Sequence, residues 1–420
     1  MRIRELTISN FRGFGETVKF PFSEHFTVIA GVNGRGKTAI LDGLVLLFSY
    51  LLPQISEAKK QTKKVSETDV HLSASEANIS VKTNCAGIPL DYFVTIYGVD
   101  RKVVPQKLYA EVSKTIKNAY GDPSRADDQA PLVVYYTTDR AGYRFPKALP
   151  QIVTSGQAMA YNGALFNRMV DYKDFMSRYR VALTLTNDEK IKNSSFLGAN
   201  AVKAINKAIE YFLDGFAELQ VQENPLKLWV SKHGEKLDLR QLSDGERSLI
   251  ALICDLSRRL ALANPALKNP LEGAGVVLID ELELHLHPKW QREIRDKLRK
   301  TFPNIQFITT THSPFIIQSL NEGELINLDP KELDEEYSDE SIEDITEFVM
   351  GVKMPQKSKR YIEMMEAAEA YFTLLHNVGD KSTIEVEHAK QKLNELSIPF
   401  SDDPAFQAFL NIERKLKLEE

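Results

Sequence analysis

Eight consecutive residues, Gly31-Val-Asn-Gly-Arg-Gly36-Lys37-Thr38, limit what this chain can fold into more than any other stretch. They satisfy the spacing G-x-x-x-x-G-K-[ST], and their flanks matter more than the string itself. Upstream, Phe26-Thr-Val-Ile-Ala30 is a short β-branched run that stops at glycine. Downstream, Ile40, Leu41, Leu44, Leu47 and Phe48 recur at helical spacing until Pro53. A strand that turns through glycines into a helix presents a row of backbone N–H groups where the helix favours an anion. In that setting Asn33, Gly34 and Gly36 let the backbone curl around phosphates, Lys37 supplies charge toward the β and γ phosphates, and Thr38 offers a hydroxyl to Mg²⁺. The bland alternative is an ordinary glycine turn.

Further along, Val276-Val-Leu-Ile-Asp280-Glu281 is an apolar strand that ends in two adjacent carboxylates. A buried strand seldom ends this way without cause, because an unpaired buried charge is costly. Beside a P-loop, Asp280 is expected to hold Mg²⁺, directly or through water, and Glu281 to orient and polarise an attacking water as general base. Leu242-Ser-Asp-Gly-Glu246 reads in two ways at once. Ser243 and Glu246 form a capping box for a helix reaching Leu260, while Gly245 weakens a first turn by about 1 kcal/mol unless something must approach its backbone. Phosphate approach is the expected reason. Thr309-Thr-Thr-His312-Ser313-Pro314 is a strand that runs into a histidine and a proline-stopped turn, and His312 alone would be structural as readily as catalytic. His285 and His287 stand at i and i+2, but no third ligand cluster accompanies them among the eight histidines.

Strands alternating with helices imply an α/β fold around a mostly parallel, doubly wound sheet. Ile3, Leu6, Ile8 and Phe11 suggest a first strand, and Ile79 to Lys82, Tyr92 to Tyr97 and Leu132 to Thr137 suggest others. Residues 139 to 225 read as a helical insertion, with Ala204, Ile205, Ala208, Ile209 and Phe212 on one face. Leu226 to Ser231 and Leu237 to Leu239 flank Lys232-His-Gly-Glu-Lys236 like a hairpin. Residues 1–138 and 226–328 would then make one discontinuous domain. Residues 329–420 would make a helical C-terminal extension that opens with the acidic run Asp329 to Glu347, read as a solvated linker or a docking segment. Helix-start signals in it are Ser341 with Asp344, Ser382 with Glu385, and Ser401-Asp-Asp-Pro404.

With 53 Lys and Arg against 58 Asp and Glu, the net charge of −5 argues against a surface coated for nucleic acid, so any such contact must be a local patch. The basic stretch Lys289 to Lys300 is the candidate, or else a helix docked on the sheet with a solvated face. Two cysteines far apart give neither a disulfide framework nor a cysteine zinc site, and a cytoplasmic location is expected. The start lacks an apolar signal region, and Leu44 to Leu52 is short for a membrane span, so no membrane partner is expected.

The P-loop, LSDGE at 242–246, VVLIDE at 276–281, ELELHLHP at 281–288 and THSP at 311–314, in this order, resemble the ABC-type ATPase heads of the RecF, SMC and OLD group. ISNFRGFG at 8–15 resembles the first strand of that group, whose arginine at the position of Arg12 lies near the nucleotide. The resemblance covers residues 1 to about 137 and 226 to 328. It implies that two heads sandwich two ATP molecules, with Ser243 and Gly245 acting in trans on the γ-phosphate held by the partner head. It further implies Glu281 as the catalytic carboxylate, His312 as the γ-phosphate switch and Glu283 to Pro288 as a D-loop at the dimer interface. A RecF-like DNA-repair clamp is one function this allows, and ATP held mainly as structural glue is another.

A narrower likeness, carried by LVVYYTTDR at 132–140, SIEDITEFVMGV and PFSDDPAFQAF, is to the PtuA-type ATPases of Septu anti-phage systems, also found beside retrons. That resemblance implies a sensor or regulatory ATPase, assembled as dimers and higher oligomers, that controls a separate HNH nuclease of PtuB type. It brings in a reverse transcriptase with its msDNA, or phage nucleic acid, as further partners. OLD nucleases carry a Toprim domain after the switch histidine; here 108 residues remain there and read as helices, so no nuclease is expected in cis.

Overall fold

The computed structural model describes residues 1–56, 65–85, 87–98, 102–105, 109–120, 130–141, 143–150, 156–166, 170–186, 199–329, 339–352, 355–378 and 384–400. The basic connector 58–64, the polar hinge 121–129, most of the acidic run, the cap at Ser382 and the segment from Ser401 lie outside them.

The chain opens with β1 (Arg2–Ser9), β2 (Val18–Pro21) and β3 (Phe26–Ala30), which feeds α1 (Lys37–Ile55). A meander follows: β4 (Glu76–Cys85), β5 (Ile88–Tyr97) and β6 (Lys102–Pro105), then α2 (Tyr109–Tyr120) and β7 (Leu132–Tyr136). The insertion holds two short strands, β8 (Tyr143–Arg144) and β9 (Val170–Asp171), and two helices, α3 (Tyr172–Thr186) and α4 (Ala199–Phe212). Next come β10 (Phe216–Gln222), β11 (Lys227–Lys232), β12 (Glu235–Asp238) and α5 (Asp244–Ala263). The head ends with β13 (Gly275–Ile279), α6 (Pro288–Thr301), β14 (Ile305–Thr310), α7 (Pro314–Gln318), β15 (Leu325–Asn327) and the one-turn α8 (Ile342–Asp344).

The core sheet runs β15-β3-β14-β13-β7 and is parallel at every pairing. Every residue of β3, β7, β13 and β14 is buried, as both faces of a parallel sheet must be. Parallel pairing aligns the C-terminal ends of these strands on one edge, which is where such sheets bind ligands. A second sheet, β2-β1-β4-β5-β6, is antiparallel throughout and was not separable by alternation of strands and helices, because its meander carries no helix between strands. Helix α1 touches both sheets and is apolar nearly all round for that reason. By length and composition it could cross a membrane, contrary to the expectation from Leu44 to Leu52, yet 72% of its most apolar window is buried in the head.

The insertion is fastened to α5 by a buried charge network. Asp255 accepts from Tyr136 of β7 at 2.8 Å and pairs with Arg259 at 2.7 Å and Arg258 at 2.5 Å. Arg258 reaches on to Asp174 of α3 at 2.6 Å, and Arg259 donates to the carbonyls of Ala160 and Asn162. Burial pushes the Asp255 carboxyl up, but Arg259 and Arg258 outweigh it and hold it well below the usual carboxylate range.

Contacts divide the chain into Met1–Met350 and Gly351–Glu420, rather than at residue 328. Ile345 and Val349, just after α8, pack with Ala30 and Ile317 and so belong to the head. The second unit contains α9 (Lys359–Val378) and α10 (Ile384–Ser397), paired around Met364, Ala368, Phe372 and Leu393.

Candidate nucleotide-binding site

The P-loop leaves β3 through Gly31 and enters α1 through Gly36, with Gly31, Gly34 and Gly36 all at positive φ. A side chain at Gly36 would also collide with Phe14, its Cβ falling 2.7 Å from the ring. Lys37 donates from Nζ to the carbonyls of Gly31 at 2.8 Å and Val32 at 3.1 Å, so its ammonium lies across the loop's own concavity. Burial lowers its pKa, and nearby Asp280, Asp329, Glu283 and Glu281 oppose that shift without cancelling it. Asn33, Gly34 and Thr38 are exposed, as a ligand-facing rim must be.

The two acids after β13 are treated very differently. Asp280 is buried, and its carboxylate accepts from Thr310 of β14 at 2.5 Å and from Thr38 at 3.3 Å. Glu281 stands at φ 49, its N–H donating to Thr310 Oγ1 at 2.8 Å, while its own carboxylate has no hydrogen-bond or ion-pair partner among the described residues. Arg140, just beyond β7, donates to the Asp280 carbonyl and at 2.5 Å to the Glu281 carbonyl, pinning the kink from below. Burial brings this guanidinium down to about 10, against the opposing pull of Glu283, Asp280 and Glu281.

The Thr38 and Asp280 oxygens fit a hard divalent ion: cis ligands of octahedral Mg²⁺ stand roughly 2.9 Å apart, and these are 3.3 Å apart before any ion draws them in. Glu283 accepts from Thr311 Oγ1 at 2.6 Å and from the His312 N–H at 2.5 Å, fixing that turn, while the His312 ring itself is half-buried and without a hydrogen bond among the described residues.

Three expected site residues lie elsewhere or are committed otherwise. Arg12 pairs with Asp42 at 2.6 Å and Asp69 at 2.8 Å; burial alone would lower its pKa, but these carboxylates raise it. Ser243 caps α5, its hydroxyl donating to Glu246 at 2.9 Å, and Glu246 pairs with Lys232 at 2.8 Å. Packing within the chain already requires a glycine at 245, since a Cβ there would sit 2.4 Å from the His285 carbonyl oxygen and 3.2 Å from Trp290. No described contact joins Ser243 or Gly245 to the P-loop. His287 caps α6 through Lys289 N–H, and His285 adopts φ 63, so both histidines have a place in the turn.

Sequence reasoning assigned no individual role to Arg140, Thr310 or Asp329, and gave Glu283 one only as the start of the expected D-loop. Asp329, first of the acidic run, accepts from Val32 N–H at 2.8 Å and pairs with Arg35, bracing the P-loop from the strand after it.

A P-loop at the end of one parallel strand, with paired acids and a histidine at the ends of its neighbours, defines a nucleoside triphosphatase head. A family model described as an AAA domain matches residues 5–220, just over half of the chain, and one described as an AAA domain, putative AbiEii toxin, Type IV TA system, matches residues 142–318. The chain belongs to the AAA-domain ATPases and fits the ABC-type group of RecF, SMC and OLD proteins. It is 28% identical over 376 residues to a retron Vc95 probable ATPase of Vibrio cholerae serotype O1 biovar El Tor, covering 77% of this chain and 73% of that one. It is 24% identical to the Septu protein PtuA of Bacillus thuringiensis, covering 87% and 88%. A solved Smc head bound to the C-winged helix domain of ScpA is similar at 16% identity and a TM-score of 0.47, over 77% of this chain and 93% of that one.

Proposed function

We propose that the chain binds ATP with Mg²⁺ and hydrolyses it to ADP and phosphate between two heads, as the regulatory subunit of an anti-phage complex that controls a separate HNH nuclease of PtuB type. The observation that carries the catalytic part is the contrast between the two acids. Asp280 is tied to Thr38 and Thr310, while Glu281, one residue on, keeps an unpaired carboxylate at a kink held by Arg140.

In this reading the loop N–H groups from Asn33 to Thr38 and the Lys37 ammonium hold the phosphates, and Thr38 and Asp280 hold the ion. Mg²⁺, when bound, neutralises charge on the β and γ phosphates. Glu281 accepts the proton of a water whose oxygen attacks the γ phosphorus as the bond to the β–γ bridging oxygen breaks. His312 donates from its free ring to the γ-phosphate, and Ser243 and Gly245 arrive from a partner head. Arg12, locked by Asp42 and Asp69, shapes the entrance rather than moving.

The names of the retron and Septu relatives support the defence setting. In that setting the HNH nuclease, and a reverse transcriptase with its msDNA or phage nucleic acid, are further partners, all in the cytoplasm. The test is affinity purification from a host expressing the neighbouring genes, followed by mass spectrometry of the intact assembly. A stable complex with a small nuclease supports the reading; a dimer that forms only with ATP and carries no nuclease overturns it in favour of a DNA-repair clamp.

A further inference from the structure

The basic stretch that the sequence brings forward is not the one the fold leaves free. On α6, Lys289 pairs with Asp214 at 3.3 Å, Lys297 with Glu293 at 3.0 Å, and Arg295 and Arg299 both with Glu324. Arg292 lies over the Phe315 ring at 5.1 Å. Of the six basic residues on that helix, Lys300 alone has no described partner, and it turns into an open cleft of about 550 Å³ between α4, α6 and the turn at Pro270.

Three more lysines line the same cleft, Lys203 and Lys207 one turn apart on α4 and Lys268 across from them. All four are exposed, none makes an ion pair among the described residues, and no carboxylate lines the cleft. Its floor is small and apolar, and Tyr211, 41% exposed, forms part of the wall. Four unpaired like charges around one concavity repel one another and oppose folding, on a chain whose net charge is −5. Such a cluster is electrostatically satisfied by an extended anion that spans several lysines at once, and an exposed aromatic beside it offers a face for a planar ring.

We propose that this cleft binds the phosphodiester backbone of a single nucleic-acid strand, with Lys203, Lys207, Lys268 and Lys300 on phosphates and Tyr211 under a base. No P-loop residue lines this cleft, and the proposal does not depend on the nuclease reading.

Fluorescence anisotropy of the full chain, without ATP, with a labelled oligothymidylate strand and with a duplex of the same length, tests it. Four phosphate contacts give a slope of log K against log salt of about −2.8, so binding weakens roughly 50-fold between 50 and 200 mM salt. Lys203→Ala with Lys207→Ala should reduce that slope by about 1.4. Tyr211→Ala should weaken strand binding by roughly 5- to 150-fold with no change in slope. ATP binding by these variants should equal wild type, which separates a failure of this proposal from a failure of the nucleotide site. A fourfold Lys→Ala variant with unchanged melting that still binds the strand like wild type would overturn the proposal. So would inorganic polyphosphate binding as tightly as the strand together with indifference to Tyr211→Ala, since the cleft would then be a general polyanion site.

Discussion

The P-loop and the start of α5, at residues 242–246, are built on opposite terms. Around Lys37 and Glu281 the backbone is held in place while reactive groups are left free: Arg140 and Thr310 fix the kink, yet the Glu281 carboxylate and the His312 ring have no partners among the described residues. Around Ser243 and Gly245 the side chains of Ser243 and Glu246 are engaged within the chain, by the capping box and by Lys232, and the His285 carbonyl closes on Gly245. Free polar groups in a built pocket point to a ligand, whereas a capped helix start is held in shape before any ligand arrives. The difference teaches that the P-loop region is preorganised for chemistry, and that in the proposed two-headed site the start of α5 would serve as a rigid docking edge.

That comparison can be broken at several strengths. Glu281→Gln should cut phosphate release by 100-fold or more while leaving ATP binding and thermal stability close to wild type, because the carboxylate makes no contact that folding needs. A melting temperature lowered by several degrees would mean a hidden partner. Lys37→Ala should weaken ATP binding by about 100-fold, measured by titration calorimetry, which is the scale of one lost charge-assisted contact. At the other end the loss should appear in stability. Gly245→Ala is expected to cost about 1–3 kcal/mol in denaturant unfolding through its clash with the His285 carbonyl. Ser243→Ala should cost about 1 kcal/mol through the lost cap. If Gly245→Ala melted like wild type, the packing account of that glycine would fail.

Much of this was legible in the sequence because local rules and the fold agree at the P-loop, at β13 and at the capping box of α5. Where reading failed, a local irregularity hid the pattern. In β10 the shift between Ala217 and Leu219 broke the period of two, so a strand was absorbed into the helical insertion. Arg140 and Thr310 gave no signal because their work is on backbone atoms of residues 140 positions and 29 positions away. Of the two readings of Lys289 to Lys300 the docked helix is the one the fold supports, and a run of charge in sequence says nothing about the carboxylates that the fold brings to meet it.

The central claim is that the site is completed in trans, and mixing two inactive variants tests it most directly. Lys37→Ala and Ser243→Arg each disable one half; in a mixed pair, one composite site combines the intact P-loop of one chain with the intact 242–246 segment of the other. The account predicts that ATPase activity, absent from either variant alone, returns on mixing and rises with protein concentration. A mixture as inactive as its components, with mixed pairs shown to form, would contradict it.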